Sequence, residues 1–210
     1  MRPLIGAVYN ILTDAEDNEE LLKNIYSKWN TDLGIEDAKH KWKGCLQNTY
    51  KTTTNENLRL IQYKLMTRMY YTRDKINKFD PTSSDRCLKC GTQKDSLMHA
   101  FWQCEKVRKT WANIERFLLR NGNCNVEFTP KICLFQNTET IRHPTDRQIL
   151  FSSLVYKKLL LQNWKNKEAP SLQDWKSLMK YYLSIERTMS EDSNKIELFN
   201  KLWGTFYEAL

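Results

Sequence analysis

The chain has 210 residues and a net charge of +8, and its length suffices for one or two domains with a hydrophobic core. No stretch approaches the roughly 20 consecutive apolar residues of a membrane span. The apolar segment 4–12 runs into acidic residues without the small-residue cleavage site of a signal peptide. We therefore expect an intracellular protein of the nucleus, the cytoplasm or both, without a membrane segment and not secreted.

The first third of the chain predicts helices. Only 6 Gly and 5 Pro interrupt 210 residues, and few segments alternate as strands do. We expect helices over 3–12 and 19–31, a third helix from about Glu36, and a polar loop over 48–57.

The segment 59–78 is the most basic part of the chain. It holds six Lys or Arg residues against one Asp, a balance of +5. The pattern predicts one amphipathic helix that packs on one side and is cationic on the other. A localised cationic patch favours phosphate backbones, although a solvated helix face that binds nothing is the alternative. The apolar positions are Leu58, Ile61, Leu65 and Met69, and the cations on a different face are Lys64, Arg68 and Lys75.

Four residues then form a Cys-x2-Cys-x8-His-x4-Cys array: Cys87, Cys90, His99 and Cys104. Thiolate and imidazole are the ligands that zinc prefers, and this spacing is typical of a structural site with all four positions filled. The alternatives are a pair of disulfides or four unrelated residues. Residues five apart on an α-helix lie about 140° apart, so we expect a short helix from His99 to end near Trp102 and Cys104 to start the next helix.

The remaining segments predict a helical tail. Helices are expected over 105–120 and 145–165, from Pro170 and Ser171, and over 195–210, with a less regular stretch at 121–145. The predicted fold class is mainly α, with helical segments around a small Cys-Cys-His-Cys zinc knuckle. Three regions follow from this pattern: a helical segment with the basic helix at 1–78, the knuckle at 79–112, and the tail at 113–210. Residues expected to pack in the core are Trp111, Trp164, Trp175, Trp203, Cys45, Cys124 and Cys133.

Several motifs in this order resemble one known family. Several segments are similar to the region that follows the polymerase domain in LINE-type non-LTR retrotransposon reverse transcriptases: 27–34, 62–73, the unit 87–104 with Trp111, and the later 164–165 and 170–175 followed by Glu186. The unit 87–104 resembles the zinc-binding module of that family, whose ligands are three Cys and one His.

The resemblance implies work on nucleic acid. The full-length family proteins nick DNA and reverse-transcribe their RNA, and their C-terminal region is thought to hold RNA or target DNA. We therefore expect a C-terminal fragment or truncated reading frame whose partners are RNA, DNA and the N-terminal polymerase domains of its parent. The candidate nucleic-acid contacts are Arg59, Lys64, Arg68, Arg73, Lys75, Lys89, Lys94, Lys106, Arg108 and Lys109.

Catalysis is not expected of this chain. The family's polymerase holds its divalent ions with an Asp-Asp pair, and no Asp-Asp dipeptide occurs here. The two remaining histidines, His40 and His143, have no convincing catalytic partner. The competing hypothesis is a structural zinc scaffold or protein-interaction module without nucleic-acid binding. Phe101 and Trp102 are candidates for base stacking, but packing of at least one of them against the following helix is the stronger expectation.

Overall fold

The computed structural model of the protein describes residues 18–122, 127–138 and 145–210, with side chains from residue 22 in the first range and from residue 147 in the last. The predicted helix 3–12, Cys124 and His143 lie outside these residues. Within the described ranges the secondary structure is helical, with one isolated bridge between Arg86 and Lys94 and no strand. This confirms the mainly α class. Residue contacts divide the chain into two units, one ending at His40 and the other running from Lys41 to Leu210.

The first unit contains helix α1 (Asn18–Leu33) and the start of α2 (Ala38–Thr52). Gly34 follows α1 at φ +58°, a backbone conformation that ends many helices and favours glycine. The Asn30 side chain accepts a hydrogen bond from the Ala38 amide at 2.8 Å, and the Asp37 carboxylate accepts one from the His40 amide at 2.9 Å. These local bonds set the turn and the entry into α2.

Helix α2 extends through residues that sequence reasoning placed in a loop. The loop prediction for 48–57 is wrong over its first half, since α2 ends at Thr52 and α3 (Glu56–Met66) begins four residues later. Three threonines at this junction are buried. The Thr49 hydroxyl bonds the Gln136 side chain at 2.8 Å, and the Thr53 hydroxyl bonds the Glu186 carboxylate at 2.7 Å.

The predicted basic helix is two helices. Leu58, Ile61 and Leu65 are buried on α3 as expected, but α3 ends at Met66, and Met69 is 56% exposed. Arg68 takes φ +58° at the break, and the separate helix α4 spans Arg73–Phe79. The prediction of one continuous helix here is wrong.

A π-helix (His99–Gln103) leads into α5 (Glu105–Asn121), and a short α6 spans Pro130–Cys133. The tail consists of α7 (Thr145–Gln162), α8 (Leu172–Asp192) and α9 (Ile196–Glu208). A capping box between Ser171 and Asp174 starts α8.

The core of the second unit lies where α5, α7, α8 and α9 meet, with α3 and α6 packed on α7. Trp175 and Phe206 are fully buried, and Phe117 meets both rings edge-on at 5.7 and 5.5 Å. Three of the four predicted anchor tryptophans are thus buried, while Trp164 is half-buried. Among the described residues, none of the helices combines the length and the apolar character needed to cross a membrane.

Candidate metal centre and basic surface

The structure brings the four predicted ligands together. The donor atoms of Cys87, Cys90, His99 and Cys104 all lie within 4.8 Å of one another. The Cys87 and Cys104 sulfurs are 3.9 Å apart, and the Cys90 sulfur lies 3.4 Å from His99 Nε2. A zinc tetrahedron with Zn–S bonds of about 2.3 Å and a Zn–N bond of about 2.0 Å has S–S and S–N edges of about 3.8 and 3.5 Å. The cluster therefore has the donor set of a zinc site, and these two separations match the edges of its tetrahedron, whereas a disulfide would need its sulfurs about 2.05 Å apart.

A tight turn presents the first two sulfurs. The Gly91 amide donates to the Cys87 carbonyl at 2.8 Å, and the Cys87 amide donates to the Gln93 carbonyl at 2.8 Å. Gly91 takes φ +74°, which a side chain at this position would disfavour. The bridge between Arg86 and Lys94 closes the base of the turn.

The π-helix explains how two ligands five residues apart reach one ion. The Cys104 amide donates to the His99 carbonyl at 3.0 Å, an i to i+5 bond that an α-helix does not make. We expected an ordinary helix to end near Trp102, and the wider turn instead continues to Gln103. Cys104 then directly precedes α5, as the spacing predicts.

The two sulfurs of the turn differ in acidity. Burial raises the pKa of the Cys87 thiol to about 12, although backbone amides partly oppose this. Burial also acts to raise the pKa of the more exposed Cys90 thiol, but hydrogen bonds from Gln93, Thr92 and His99 outweigh it and lower the pKa to about 6. Cys90 thus provides a thiolate readily, while Cys87 would lose its proton on binding a metal. A zinc ion here would serve as a structural cross-link, because the protein supplies all four ligands.

Aromatic packing holds the π-helix in place. The Trp111 indole on α5 donates to the Phe101 carbonyl at 2.9 Å. Phe101 is fully buried, with ring centroids 5.6 Å from Tyr70 and 5.5 Å from Trp164. Trp102 is half-buried, 5.4 Å from Trp111. Both residues considered for base stacking therefore pack the knuckle against its surroundings.

At least five of the ten predicted nucleic-acid contacts bond to other residues in the described part of the chain. The Arg59 side chain donates to the Thr53 carbonyl and pairs with Glu56. Lys75 donates to the Arg68 carbonyl, and Arg73 to the Ser84 carbonyl at 2.9 Å. Lys89 donates to the carbonyls of Asn163 and Asn166 at 3.2 and 3.3 Å. Lys106 pairs with Glu168 at 2.9 Å.

The other five lie on different elements. Arg68 is half-buried at the break between α3 and α4. Lys64 is exposed on α3, and Lys94 is exposed beside the cysteine turn. Arg108 and Lys109 are exposed on α5.

Sequence reasoning missed two further cations on α5. Arg116 and Arg120 are exposed, on the same side of the helix as Lys109, since steps of seven and eleven residues return to one face. We name Arg108, Lys109, Arg116 and Arg120 the α5 basic face. The spacing of Lys109, Arg116 and Arg120 was readable in the sequence and could have identified this face. The opposite side of α5 is buried through Val107, Trp111, Ile114 and Leu118.

Residues 21–111 match the protein family described as zinc-binding in reverse transcriptase. The match contains all four residues of the cluster and ends at Trp111, whose indole bonds the π-helix. Residues 21–111 therefore contain a zinc-binding domain of the kind associated with reverse transcriptases.

Proposed function

We propose that the chain is a zinc-stabilised nucleic-acid-binding region of a reverse transcriptase from a LINE-type non-LTR retrotransposon, acting on RNA, DNA or both. One observation carries the proposal: the α5 basic face begins four residues after the last zinc ligand, Cys104. A zinc ion in the cluster would fix the start of α5 and, with it, the direction in which these cations point.

Electrostatics favour a phosphate backbone as the partner of this face. Residues 105–121 carry five Lys or Arg against two Glu, a balance of +3. One of the two, Glu115, accepts a hydrogen bond from the Phe128 amide at 2.6 Å and is only half-exposed. Lys and Arg that neutralise phosphates release condensed counterions, which gives affinity with little sequence preference.

The proposal assigns no catalysis to this chain. Its zinc would have no open coordination position, and the Asp-Asp pair of the family's polymerase is absent from the sequence. Polymerisation would belong to domains of the parent protein, which are the proposed protein partner. Primer-extension assays with the chain are expected to give no product above a control without protein.

Binding to a fluorescent 20-nucleotide single-stranded RNA, and to the DNA of the same sequence, tests the proposal. Affinity is measured by anisotropy over a salt series with zinc-loaded protein. The double variant Arg116→Gln, Arg120→Gln should lower the slope of log affinity against log salt by about 1.4, since each phosphate contact on a single strand contributes about 0.7.

The matched control is Lys180→Gln, Lys201→Gln, which removes the same charge from exposed positions on α8 and α9. It should bind like the unchanged protein. Equal slopes for the two double variants would refute a role for the α5 basic face. No measurable binding at low salt would favour the zinc scaffold or protein-interaction module instead.

A further inference from the structure

Two aromatic side chains are exposed at the ends of α4. Tyr71, just before the helix, is 64% exposed, and Phe79, its last residue, is 77% exposed. Their ring centroids lie 6.4 Å apart. Exposed rings that lie together mark interaction surfaces more often than isolated apolar side chains do.

A cleft of about 370 Å³ lies beside α4. Its volume is within the range of sites that take small ligands, about 300–1,000 Å³. Its wall includes Cys87, so the cleft borders the metal cluster. We name it the α4 cleft, and the residues that matter here are Arg73, Ile76, Leu88, Lys89, Trp164 and Lys165.

The chemistry of the α4 cleft combines apolar walls with positive charge. Ile76, Leu88 and Trp164 supply apolar surface, and three cations line the same cavity against one carboxylate, Asp95. Two of the cations, Arg73 and Lys89, donate to neutral backbone carbonyls, which leaves their positive charge uncompensated. The Asp95 side chain already accepts a hydrogen bond from the Arg73 amide at 3.1 Å. An unpaired nucleobase with its phosphate meets both requirements, since its ring faces are apolar and its backbone is anionic.

The α4 helix connects the cleft to the exposed aromatic pair. Arg73 and Ile76 line the cleft, and Phe79 follows Ile76 by the same three-residue step, which keeps side chains on one side of a helix. Phe79 does not line the α4 cleft itself, but it lies one three-residue step along the helix from Ile76, which does. A strand with one base in the cleft would place its next base within reach of that ring.

We propose that the α4 cleft accepts one unpaired base of a bound single strand, and that Phe79 stacks on the neighbouring base. The inference rests on the proposed function and specifies the nucleic acid as single-stranded at this site. Bases in a duplex are paired and stacked, so neither the cleft nor the Phe79 ring could reach their faces.

The test uses the zinc-loaded chain and two fluorescent 12-nucleotide DNAs. One is oligothymidine, and the other has abasic sites throughout, so that it keeps the phosphates and lacks the bases. Phe79→Ala should weaken oligothymidine binding about 5- to 20-fold, as expected for loss of one stacked base, and should leave the abasic strand unchanged. Ser84→Trp, which adds bulk at an exposed residue lining the cleft, should weaken oligothymidine binding by at least as much.

Tyr181→Ala is the control, because Tyr181 is an exposed aromatic residue (59%) on α8. It should bind both strands like the unchanged protein. If Ser84→Trp lowers zinc content or helicity, Phe79→Ala alone decides the outcome.

The possible failures are distinguishable. If both strands bind equally and Phe79→Ala has no effect, while Arg116→Gln, Arg120→Gln still weakens binding, the proposed function stands and the base site is refuted. If neither strand binds the unchanged protein at low salt, both proposals are refuted. A third result would also overturn the base site. If Phe79→Ala abolishes binding of the parent's polymerase domain and leaves oligothymidine affinity unchanged, the surface belongs to a protein partner.

Discussion

A fully buried lysine at the centre of the second unit makes stability depend on pH in a defined direction. Lys157 on α7 is 0% exposed, and its ammonium group donates to Gln62 Oε1 at 2.5 Å and to the Cys133 carbonyl at 2.7 Å. Gln62 in turn donates to the Leu134 carbonyl at 2.8 Å. The network joins α3, α6 and α7, but burial still lowers the pKa of Lys157 to about 7.

The pKa difference sets the sign and the size of the effect. The pKa of an unperturbed lysine is 10.5, so between pH 7 and 10.5 the unfolded chain holds a proton at Lys157 that the folded chain lacks. Stability therefore rises with pH in this window. The shift of about 3.5 units corresponds to about 5 kcal/mol over the whole window, of which about 2 kcal/mol falls between pH 7 and pH 9.

The measurement compares the protein with Lys157→Met, a side chain of similar length without a titrating group. Urea unfolding of both proteins at pH 7, 8 and 9, with saturating zinc, gives the free energy of unfolding. From pH 7 to pH 9, the free energy of unfolding of the unchanged protein should rise by about 2 kcal/mol relative to that of Lys157→Met. The contributions of the other titrating groups are the same in both proteins and cancel in the difference. A difference that stays flat would show that Lys157 remains protonated inside the fold and would refute the assigned cause.

Two further perturbations test the knuckle. Chelating zinc, or the substitution Cys90→Ser, should remove hydrogen-exchange protection from residues 87–111 and leave the α8–α9 core protected. The control Cys45→Ala removes a buried thiol outside the cluster and should retain stoichiometric zinc. Protection of residues 87–111 that survives chelation would count against the zinc site. Trp111→Phe should lower the free energy of unfolding by about 2–3 kcal/mol and weaken zinc binding, because it leaves the buried Phe101 carbonyl without its hydrogen-bond donor. An unchanged zinc affinity would mean that the hydrogen bond from the indole does not position the π-helix.

The metal cluster was predictable because its signal is local. Two cysteines separated by two residues converge through one turn, and the His99–Cys104 spacing already argued against a continuous α-helix through both ligands. What the spacing could not specify was the π-helical turn that resolves the mismatch. That choice depends on the packing of Phe101 and on its carbonyl bond to Trp111.

The break between α3 and α4 was not readable from the pattern. The apolar period that runs through Leu65 continues at Met69, and no Gly or Pro interrupts it. Tertiary contacts decide the outcome instead: Tyr70 packs on Phe101 and Trp164 at 5.6 and 6.3 Å, and its hydroxyl donates to the Ile61 carbonyl. These partners are distant in sequence or contribute backbone atoms, so the periodicity of apolar residues could not predict the contacts or the break that they stabilise.

The end of α2 was missed for a related reason. Its last turn is polar in sequence, and polarity predicts a loop when nothing else is known. Thr49 and Thr53 are nevertheless buried, and their hydroxyls donate hydrogen bonds to the side-chain oxygens of Gln136 and Glu186. The local sequence around a buried polar residue with a distant hydrogen-bond partner looks the same as that around a solvent-exposed polar residue.

The composition of the knuckle gives a physical reason for a metal at this position. Between residues 82 and 96 the only apolar side chains are those of Leu88 and the two cysteines, too few to form a hydrophobic core. Four ligand bonds can hold such a segment without burying more of its surface. Positions that would otherwise need apolar side chains can then carry polar and cationic ones. The segment held by the ligands ends where α5 begins. Removal of zinc should therefore reduce nucleic-acid affinity although every Lys and Arg is still present. The cations of the α5 basic face would lose their common orientation once the start of α5 is no longer fixed.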